Sequence, residues 1–300
     1  MTITLYETFR AVFYTPFYAA LARGAFTDEG LDIELKTAES LTVTTAGPLG
    51  SDADVSWGGP MRLLFAHDRD PSSTLVGFCE VVTRDPFFLV GRTGAGLKSL
   101  PAQRIGVVSE VPTPWLCLQE DLRRAGIDPD SLAIETANSI AENVAAFRAG
   151  ALDVIQIPEP WVEILTREGS GQIVYTAAAR GPTAYTTLFT SREYLADRRD
   201  QMLGMTRAIH RTQTWLHAAG PRDIAACVQP YFPDIEADIL AAAIARYRTI
   251  GIWGKTPLLD AAGFTWLRQA CLGGGLIARG ADYVSCIDTT LATEIVNEGP

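Results

Sequence analysis

The stretch FYTPFYAALARGAFTDEGLDIEL, residues 13–35, decides the fold of this chain. It predicts a short helix that begins at Thr15-Pro16 and ends at a glycine, followed by a strand from Leu31. Pro16 suits the first helical turn because its missing N–H would be unpaired there, and Thr15 is expected to cap the helix. A strand predicted over residues 2–6 comes before it, so the free N–H groups of the helix point into the space above the strand ends. This is the geometry of a ligand crevice in an α/β sheet.

The same pattern, a strand followed by a helix with a proline at its start, occurs twice more. Residues 58–60 (GGP) follow a strand predicted over residues 53–57, and residues 113–114 (TP) follow a strand predicted over residues 104–108. Apolar strands alternate with amphipathic helices up to about residue 190. Such alternation is typical of βα units and favours largely parallel sheets.

The last third of the chain has a different pattern. Four segments have helical periodicity, and prolines mark three of their starts: 192–219, 221–230, 234–247 and 258–270. Two α/β stretches followed by helices predict an α/β protein of two lobes, with the helical tail packing back on the first lobe. Extended segments near 81–90 and 185–190 are the expected crossings between the lobes.

The composition argues against two classes of function, nucleic-acid binding and membrane insertion. The 300 residues are 47% hydrophobic, which is enough for full cores. The formal net charge is −10 with no cluster of lysine and arginine, and this pattern argues against nucleic-acid binding. No apolar run approaches the roughly 20 residues needed to span a bilayer, so we expect a soluble chain without membrane insertion.

The N-terminal residues lead directly into a strand and lack the features of a signal peptide. The sequence as given is therefore expected to be cytoplasmic, or periplasmic if a leader has been removed. The five cysteines are scattered without a C-x-x-C spacing and are predicted to be reduced and buried. No metal-binding signature is present, so neither a metal nor another cofactor is predicted.

Several segments together resemble the type-2 periplasmic-binding-protein fold, in particular the solute-binding proteins for nitrate, sulfonate, taurine and thiamine-pyrimidine uptake. Residues 16–32 carry the opening pattern, a proline, a glycine before phenylalanine, and then Glu-Gly-Leu-Asp. Residues 104–107 (RIGV) resemble the start of the second lobe. Residues 149–160 (AGALDVIQIPEP) resemble a strand closed by an acid and a proline. The resemblance covers nearly the whole chain.

This resemblance implies two lobes, each a mixed and mostly parallel sheet flanked by helices, with a helical C-terminal region. Residues 1–86 and 187–300 are expected to form the first lobe and residues 87–186 the second, with the ligand cleft between them. The implied function is capture of a small molecule, aromatic, heterocyclic or sulfonate-like, by hinge closure for an ABC-type importer. The implied partners are that ligand and an ABC permease. The alternative is a cytoplasmic enzyme or ligand sensor on the same fold.

Enzymes on this fold provide a residue-by-residue comparison. Thiamine-pyrimidine synthases use a lysine and a histidine around the second ligand loop, but residues 57–62 (WGGPMR) contain neither. Aromatic sulfinate desulfinases use a nucleophilic cysteine in the first loop, where this chain has Tyr14-Thr15-Pro16. Neither catalytic set transfers, and no catalytic residue is predicted.

The candidate ligand-binding residues lie on the loops expected at the cleft. Four aromatic side chains among them can stack on a flat ligand, although packing in the lobe cores is the alternative for about half of them. The full set is Phe9, Tyr14, Thr15, Trp57, Gly58, Gly59, Arg84, Glu110, Thr113, Trp115, Asn138, Glu159 and Trp161.

Three other motifs are interpreted as structural. His67-Asp68 is expected at the surface or at a helix cap, because sequence neighbours usually point apart. His210 and His217 are seven residues apart, whereas histidine pairs that bind metals usually stand three or four apart on a helix. Residues 91–99 (GRTGAGLKS) nearly match a phosphate loop, but Leu97 separates the glycine from the lysine, so a turn is predicted.

The charges near the predicted loops bear on the ligand class. Glu80, Glu110 and Glu159 would repel a simple oxyanion such as nitrate, although Arg62 and Arg84 can offset them. The sequence therefore favours an aromatic heterocycle or an amine-bearing ligand, bound by carboxylate acceptors and by stacking.

Overall fold

The computed structural model describes residues 2–50 and 53–299, which form two five-stranded mixed sheets with helices on their faces. Within these residues the strands are β1 (Thr2–Glu7), β2 (Asp32–Thr37), β3 (Val55–Gly58), β4 (Leu75–Val82), β5 (Phe88–Gly91), β6 (Arg104–Gly106), β7 (Ala133–Glu135), β8 (Val154–Ile157), β9 (Gln172–Thr176) and β10 (Thr186–Ser191). The α-helices are α1 (Thr15–Ala22), α2 (Ala25–Asp28), α3 (Leu41–Ala46), α4 (Met61–Arg69), α5 (Thr113–Arg124), α6 (Ile140–Arg148), α7 (Trp161–Arg167), α8 (Arg192–Asp197), α9 (Arg199–Ala218), α10 (Pro221–Val228), α11 (Ala237–Ile250), α12 (Ala261–Gly273), α13 (Tyr283–Cys286) and α14 (Thr290–Glu298).

The two sheets have the same pattern of pairings. The first has the order β2-β1-β3-β10-β4, and the second has the order β7-β6-β8-β5-β9. In each, the first three strands are parallel, and the last two strands are joined through antiparallel pairs. The predicted α/β class with two mixed sheets is confirmed. Parallel pairs make up half of the pairings in each sheet rather than most of them.

The parallel strands place their C-terminal ends along one edge of each sheet. In β1 the side chains of Ile3, Leu5 and Glu7 are buried, as the period of two predicts for one covered face. Leu5 lies beside Val55 of β3, so β1 and β3 end close together, at Glu7 and Gly58. The loops that follow these two strands therefore emerge side by side.

The chain passes between the sheets twice. Strands of the first sheet come from residues 2–82 and 186–191, and strands of the second come from residues 88–176. A buried ionic cluster ties the crossing segments together, because Arg180 donates from Nη1 to Asp85 Oδ2 at 2.7 Å and also pairs with Asp121 of α5. We propose that the lobes divide as residues 1–86 with 187–300 and residues 87–186.

The C-terminal helices contact both sheet regions. Helix α9 packs against α1 and α2, next to the first sheet. Helix α11 packs on α7, and α12 packs on α5, whose Leu116 and Cys117 share a hydrophobic core with Leu267 and Cys271. The expectation that the tail packs on the first lobe is therefore incomplete, because α11 and α12 also hold the second lobe.

Helix boundaries differ from the prediction where a cap decides them. The helix expected from residue 258 begins at Ala261, because Asp260 Oδ1 accepts a hydrogen bond from Ala262 N at 2.7 Å. The segment 192–219 is divided into α8 and α9 at Arg198. All five cysteines are unpaired and four of them are buried, which confirms that they are free thiols. Every helix in the described part of the chain is too short or too polar to traverse a bilayer.

Candidate ligand-binding site

The loop after β1 forms an aromatic layer. Tyr14 is buried, its ring centre lies 4.4 Å from that of Phe13, and half-buried Phe9 contacts both rings. Thr15 does not cap α1 as predicted: it is the first helical residue, and its hydroxyl donates to the carbonyl of Val12 at 2.6 Å. The buried Thr15 hydroxyl thus stabilises the loop, and its proton is not available to a ligand.

Trp57 lies inside the first lobe. It is fully buried, and its ring stacks on Phe17 of α1 with ring centres 4.3 Å apart and planes 6° apart. Tyr14 and Tyr18 contact other parts of the same ring. Because Phe17 covers one face of the indole, that face cannot stack on a ligand as the sequence suggested.

Arg62, in the first turn of α4, brings a positive charge to the strand ends. Its side chain is buried, and its Nη2 donates to Thr8 Oγ1 at 3.1 Å. Its Nε has no hydrogen-bond partner, and no carboxylate among residues 2–50 and 53–299 forms an ion pair with it. Glu7 ends the neighbouring strand, but it pairs with Arg10.

The groups around Arg62 do not neutralise it. Burial raises the pKa of Tyr14 to about 12 and raises the pKa of Tyr185 well above its usual value, so both phenols keep their protons at neutral pH. Burial lowers the pKa of Arg62, but a guanidinium remains protonated in proteins. The result is a buried cation with neutral neighbours.

Two glycines allow this arrangement. A Cβ added at Gly58 would lie 2.5 Å from Arg62 Nε, so the guanidinium folds over backbone that only glycine leaves open. A Cβ added at Gly59 would lie 3.2 Å from the carbonyl oxygen of Tyr185 and 3.7 Å from Thr113 Oγ1. Thr113 begins α5 in the second lobe, so Gly59 marks a point where the two lobes approach each other.

A cavity of about 340 Å³ adjoins Arg62. Its walls come from four parts of the chain. Thr42, Ala46 and Leu49 lie on α3 and the turn after it, and Met61, Phe65 and Ala66 lie on α4. Pro112 of the second lobe and Leu276, which follows α12, complete the walls. The cavity therefore combines the buried Arg62 and the exposed Arg69 with mainly apolar walls.

Three helices that begin at the strand ends share an electrostatic feature. Helices α1, α4 and α5 have no acidic residue in the first turn and no side-chain cap. Their first N–H groups thus keep the positive end of the helix dipole without an internal counter-charge.

The three glutamates that argued against an anion are engaged within the protein. Glu159 is buried and forms an ion pair with Arg246 of α11. Glu110 Oε1 accepts from Ile140 N at 2.7 Å, at the start of α6, and Glu80 Oε2 accepts from Asp260 N at 3.3 Å. The prediction that these carboxylates bind a ligand does not hold for Glu159, because its carboxylate pairs with Arg246 and accepts from Glu163 N.

The remaining predicted residues are described by contacts with other parts of the protein. Asn138 donates from Nδ2 to Asn143 Oδ1 at 3.3 Å in the second lobe, and half-buried Trp115 packs against the core of that lobe. Half-buried Trp161 begins α7 and packs against the main hydrophobic core. Arg84 lies in the first crossing and is half-buried. The structure brings together Tyr14, Trp57, Gly58, Gly59 and Thr113.

Sequence reasoning gave Arg62 only a secondary role, did not single out Thr8 within the predicted cleft loop of residues 7–14, and missed Leu276. The available signal was the arginine two residues after Gly-Gly-Pro, because the side chain of a residue in a first helical turn lies back over the preceding loop. Leu276 carried no comparable local signal, since it reaches the cavity only through tertiary folding.

The side chains of His67, Asp68 and His217 have internal partners, whereas the buried Nδ1 of His210 has no hydrogen-bond partner among the described residues. His67 Nε2 contacts Leu75 O at 2.9 Å, and Asp68 accepts from the backbone N–H groups of Ala278 and Arg279. His217 Nε2 contacts Gly254 O at 3.2 Å. Residues 97–99 form a short 3-10 turn rather than the start of a phosphate-binding helix.

Comparison with known proteins agrees with this fold. YtlA of Bacillus subtilis, which is named as a binding protein, is 24% identical over 302 residues that cover 97% of this chain and 89% of YtlA. The periplasmic aliphatic sulphonate binding protein SsuA of Escherichia coli superposes with a TM-score of 0.77 at 15% identity, over 96% of this chain and 92% of SsuA. The desulfurization enzyme DSZB superposes with a TM-score of 0.69 at 13% identity, over 100% of this chain and 99% of DSZB.

These structural likenesses establish the periplasmic-binding-protein fold, which holds both a binding protein and an enzyme, and they leave the activity open. The sequence model of the NMT1-like family matches residues 8–228, which is more than half of the chain. The chain belongs to the NMT1-like family.

Proposed function

We propose that this protein is a solute-binding protein that captures a small organic anion between its lobes for an ABC-type importer. The observation that carries this proposal is Arg62, a buried guanidinium without an ion-pair partner in the described part of the chain. Burying an unpaired charge is unfavourable by several kcal/mol in general. A bound anion supplies the missing counter-charge.

The surrounding groups favour an anion over a cation. The first turns of α1, α4 and α5 contribute N–H groups and no acidic side chain. The nearby phenols of Tyr14 and Tyr185 can donate hydrogen bonds but carry no negative charge at neutral pH. The earlier preference for an amine-bearing ligand is therefore not retained.

The known relatives support the same class. SsuA of Escherichia coli is named for binding aliphatic sulphonates in the periplasm, and YtlA is named as a binding protein. By analogy we propose a sulfonate or carboxylate ligand, a periplasmic or extracytoplasmic site of action and an ABC permease as partner.

Ligand capture would proceed by closure of the two lobes. Gly59 and Thr113 approach each other across the cleft, and Pro112 adds a second-lobe wall beside Arg62. Contacts that a ligand makes to both lobes exist only in the closed state, so binding favours closure.

Calorimetric titration tests the charge requirement. Protein stripped of carried-over ligand by unfolding and refolding is titrated with hexanesulfonate, hexanoate and the cation hexylammonium. We expect binding of at least one anion and none of the cation. Arg62→Met should weaken anion binding at least tenfold, because hydrogen bonds to charged groups contribute about 1.5–3 kcal/mol.

Arg211→Met is the matched control, since Arg211 is an exposed arginine on α9 that pairs with Asp28. Equal affinity of the wild-type protein and the Arg62→Met variant would contradict the proposal. Recovery of the compound unchanged after long incubation is expected, whereas its consumption would favour the enzyme alternative.

A further inference from the structure

The cavity beside Arg62 is built unequally by the two lobes. Helices α3 and α4, the turn after α3 and the segment after α12 line it, whereas the second lobe adds only Pro112 to the lining. The chemistry of the cavity is therefore determined almost entirely by residues of the first lobe. In such an arrangement the first lobe determines which ligand binds, and the second lobe contributes mainly to closure.

The cation and the apolar wall lie at different positions along α4. Arg62 is in the first turn and its guanidinium lies back toward Thr8 and Gly58 at the strand ends. Phe65 and Ala66 face the cavity one turn later, and Arg69 lines it at the end of the helix. The seven residues from Arg62 to Arg69 correspond to about 10 Å along the helix axis.

Part of the cavity lining is exposed to solvent. Leu49 lines the cavity and is 48% exposed, one of the few large apolar side chains exposed in the described residues. The guanidinium of Arg69 lies 4.6 Å from the centre of the Phe65 ring and covers part of the apolar wall. Burial of the part of this apolar wall that Arg69 leaves exposed would stabilise a bound ligand.

The segment after α12, which contributes Leu276 to the cavity, is held in place by a carboxylate. Asp68 accepts hydrogen bonds from the N–H groups of Ala278, at 3.1 Å, and Arg279, at 2.6 Å. These bonds fix the segment after α12 against α4, so that Leu276 faces the cavity. The wall is therefore preorganised, which reduces the ordering that a ligand must impose.

We propose that the ligand is an organic monoanion with an elongated apolar body, whose head binds Arg62 and whose body lies along α4 between Phe65, Leu49 and Leu276. This inference rests on the proposed function and adds the shape and polarity of the ligand. An inorganic oxyanion would contact Arg62 but leave the apolar walls exposed. The protein should therefore reject nitrate and sulfate in favour of longer organic anions.

A homologous series tests this inference. The stripped protein is titrated with methane-, butane- and hexanesulfonate, with acetate, pentanoate and heptanoate, and with nitrate and sulfate. Affinity should rise about fourfold for each added methylene group until the cavity is filled, which corresponds to about 0.8 kcal/mol per buried methylene. The inorganic anions should bind at least 100-fold more weakly than the longest organic anion of the preferred series.

A cavity-filling variant provides the decisive comparison. Ala66→Phe places a ring in the apolar part of the cavity, so it should abolish the dependence on chain length while the short anions bind within about threefold of wild type. Ala196→Phe on exposed α8 is the matched control and should leave the whole series unchanged.

The outcomes separate the two proposals. If the organic anions bind with equal affinity at every chain length, or if Ala66→Phe leaves the chain-length dependence intact, the elongated-body inference is overturned and the anion-binding function stands. If a correctly folded protein binds no member of either series, the proposed function fails and this inference fails with it.

Discussion

Arg246 of α11 and Glu159, in the loop after β8, form an ion pair that joins the C-terminal helices to the second lobe. Arg246 also donates to Glu163 Oε2 at 2.8 Å, and Glu159 N donates to the hydroxyl of Tyr247 at 2.9 Å. The Tyr247 hydroxyl in turn donates to the carbonyl of Pro86 in the first crossing at 3.2 Å. Glu159 therefore connects the loop after β8 to α11 and, through Tyr247, to the first crossing.

Arg246→Met should make the stability of the protein strongly dependent on pH. Burial raises the pKa of Glu159, and Arg246 opposes this shift. Without Arg246 the folded-state pKa rises further above the unfolded value, so stability is retained at low pH and lost as pH rises through the folded-state pKa. Removing one partner of a buried pair costs about 3–5 kcal/mol, and urea unfolding should show the larger loss at about pH 8 rather than at about pH 5.

The double variant Arg246→Met/Glu159→Gln is the control for that measurement. It removes the buried carboxylate together with its partner, so the added pH dependence should disappear. An identical pH profile for the single variant and the wild type would show that Glu159 does not depend on Arg246 for its charge.

Gly58→Ala should weaken anion binding without unfolding the protein. The added Cβ would lie 2.5 Å from Arg62 Nε, so the guanidinium must move away from the strand ends. We expect at least a tenfold rise in Kd for the preferred organic anion, measured by calorimetry. Gly204→Ala in α9 is the matched control, because the atoms nearest to its Cβ would belong to the side chains of Glu29 and Leu31. A Kd unchanged by Gly58→Ala would mean that Arg62 does not bind the ligand in this position.

Anion affinity should be independent of pH between about pH 6 and pH 9, a range that includes the ordinary pKa of histidine. Arg62 keeps its charge, and the pKa of Tyr14 is raised to about 12 by burial, so neither group changes protonation between about pH 6 and pH 9. Titration of one sulfonate at three pH values in this range checks the prediction, because a sulfonate remains ionised throughout. A Kd that changed tenfold would indicate a group in the site that titrates between about pH 6 and pH 9.

How far the sequence predicts this molecule depends on the range of the interactions involved. The helix starts after β1 and β3 follow from local rules for proline and glycine, and Gly24 indeed adopts the left-handed conformation after α1. Glu159 could not be excluded from the site in the same way, because its partner Arg246 is 87 residues away in the chain. Local patterns place loops at the cleft, but they do not tell which of the charges there already have partners.

The same limit applies to Trp57, and a substitution there distinguishes core packing from ligand stacking. Because Trp57 stacks on Phe17 inside the lobe, Trp57→Ala should destabilise the protein by about 3–5 kcal/mol in urea unfolding. Trp57→Phe retains an aromatic ring and should keep the Kd for the organic anion within about threefold of wild type. Phe17→Leu perturbs the same stack from α1. It should likewise lower the stability and keep the Kd for the organic anion within about threefold of wild type. If Trp57→Phe retained wild-type stability but lost ligand binding, while Phe17→Leu bound normally, then the indole would be a direct ligand contact.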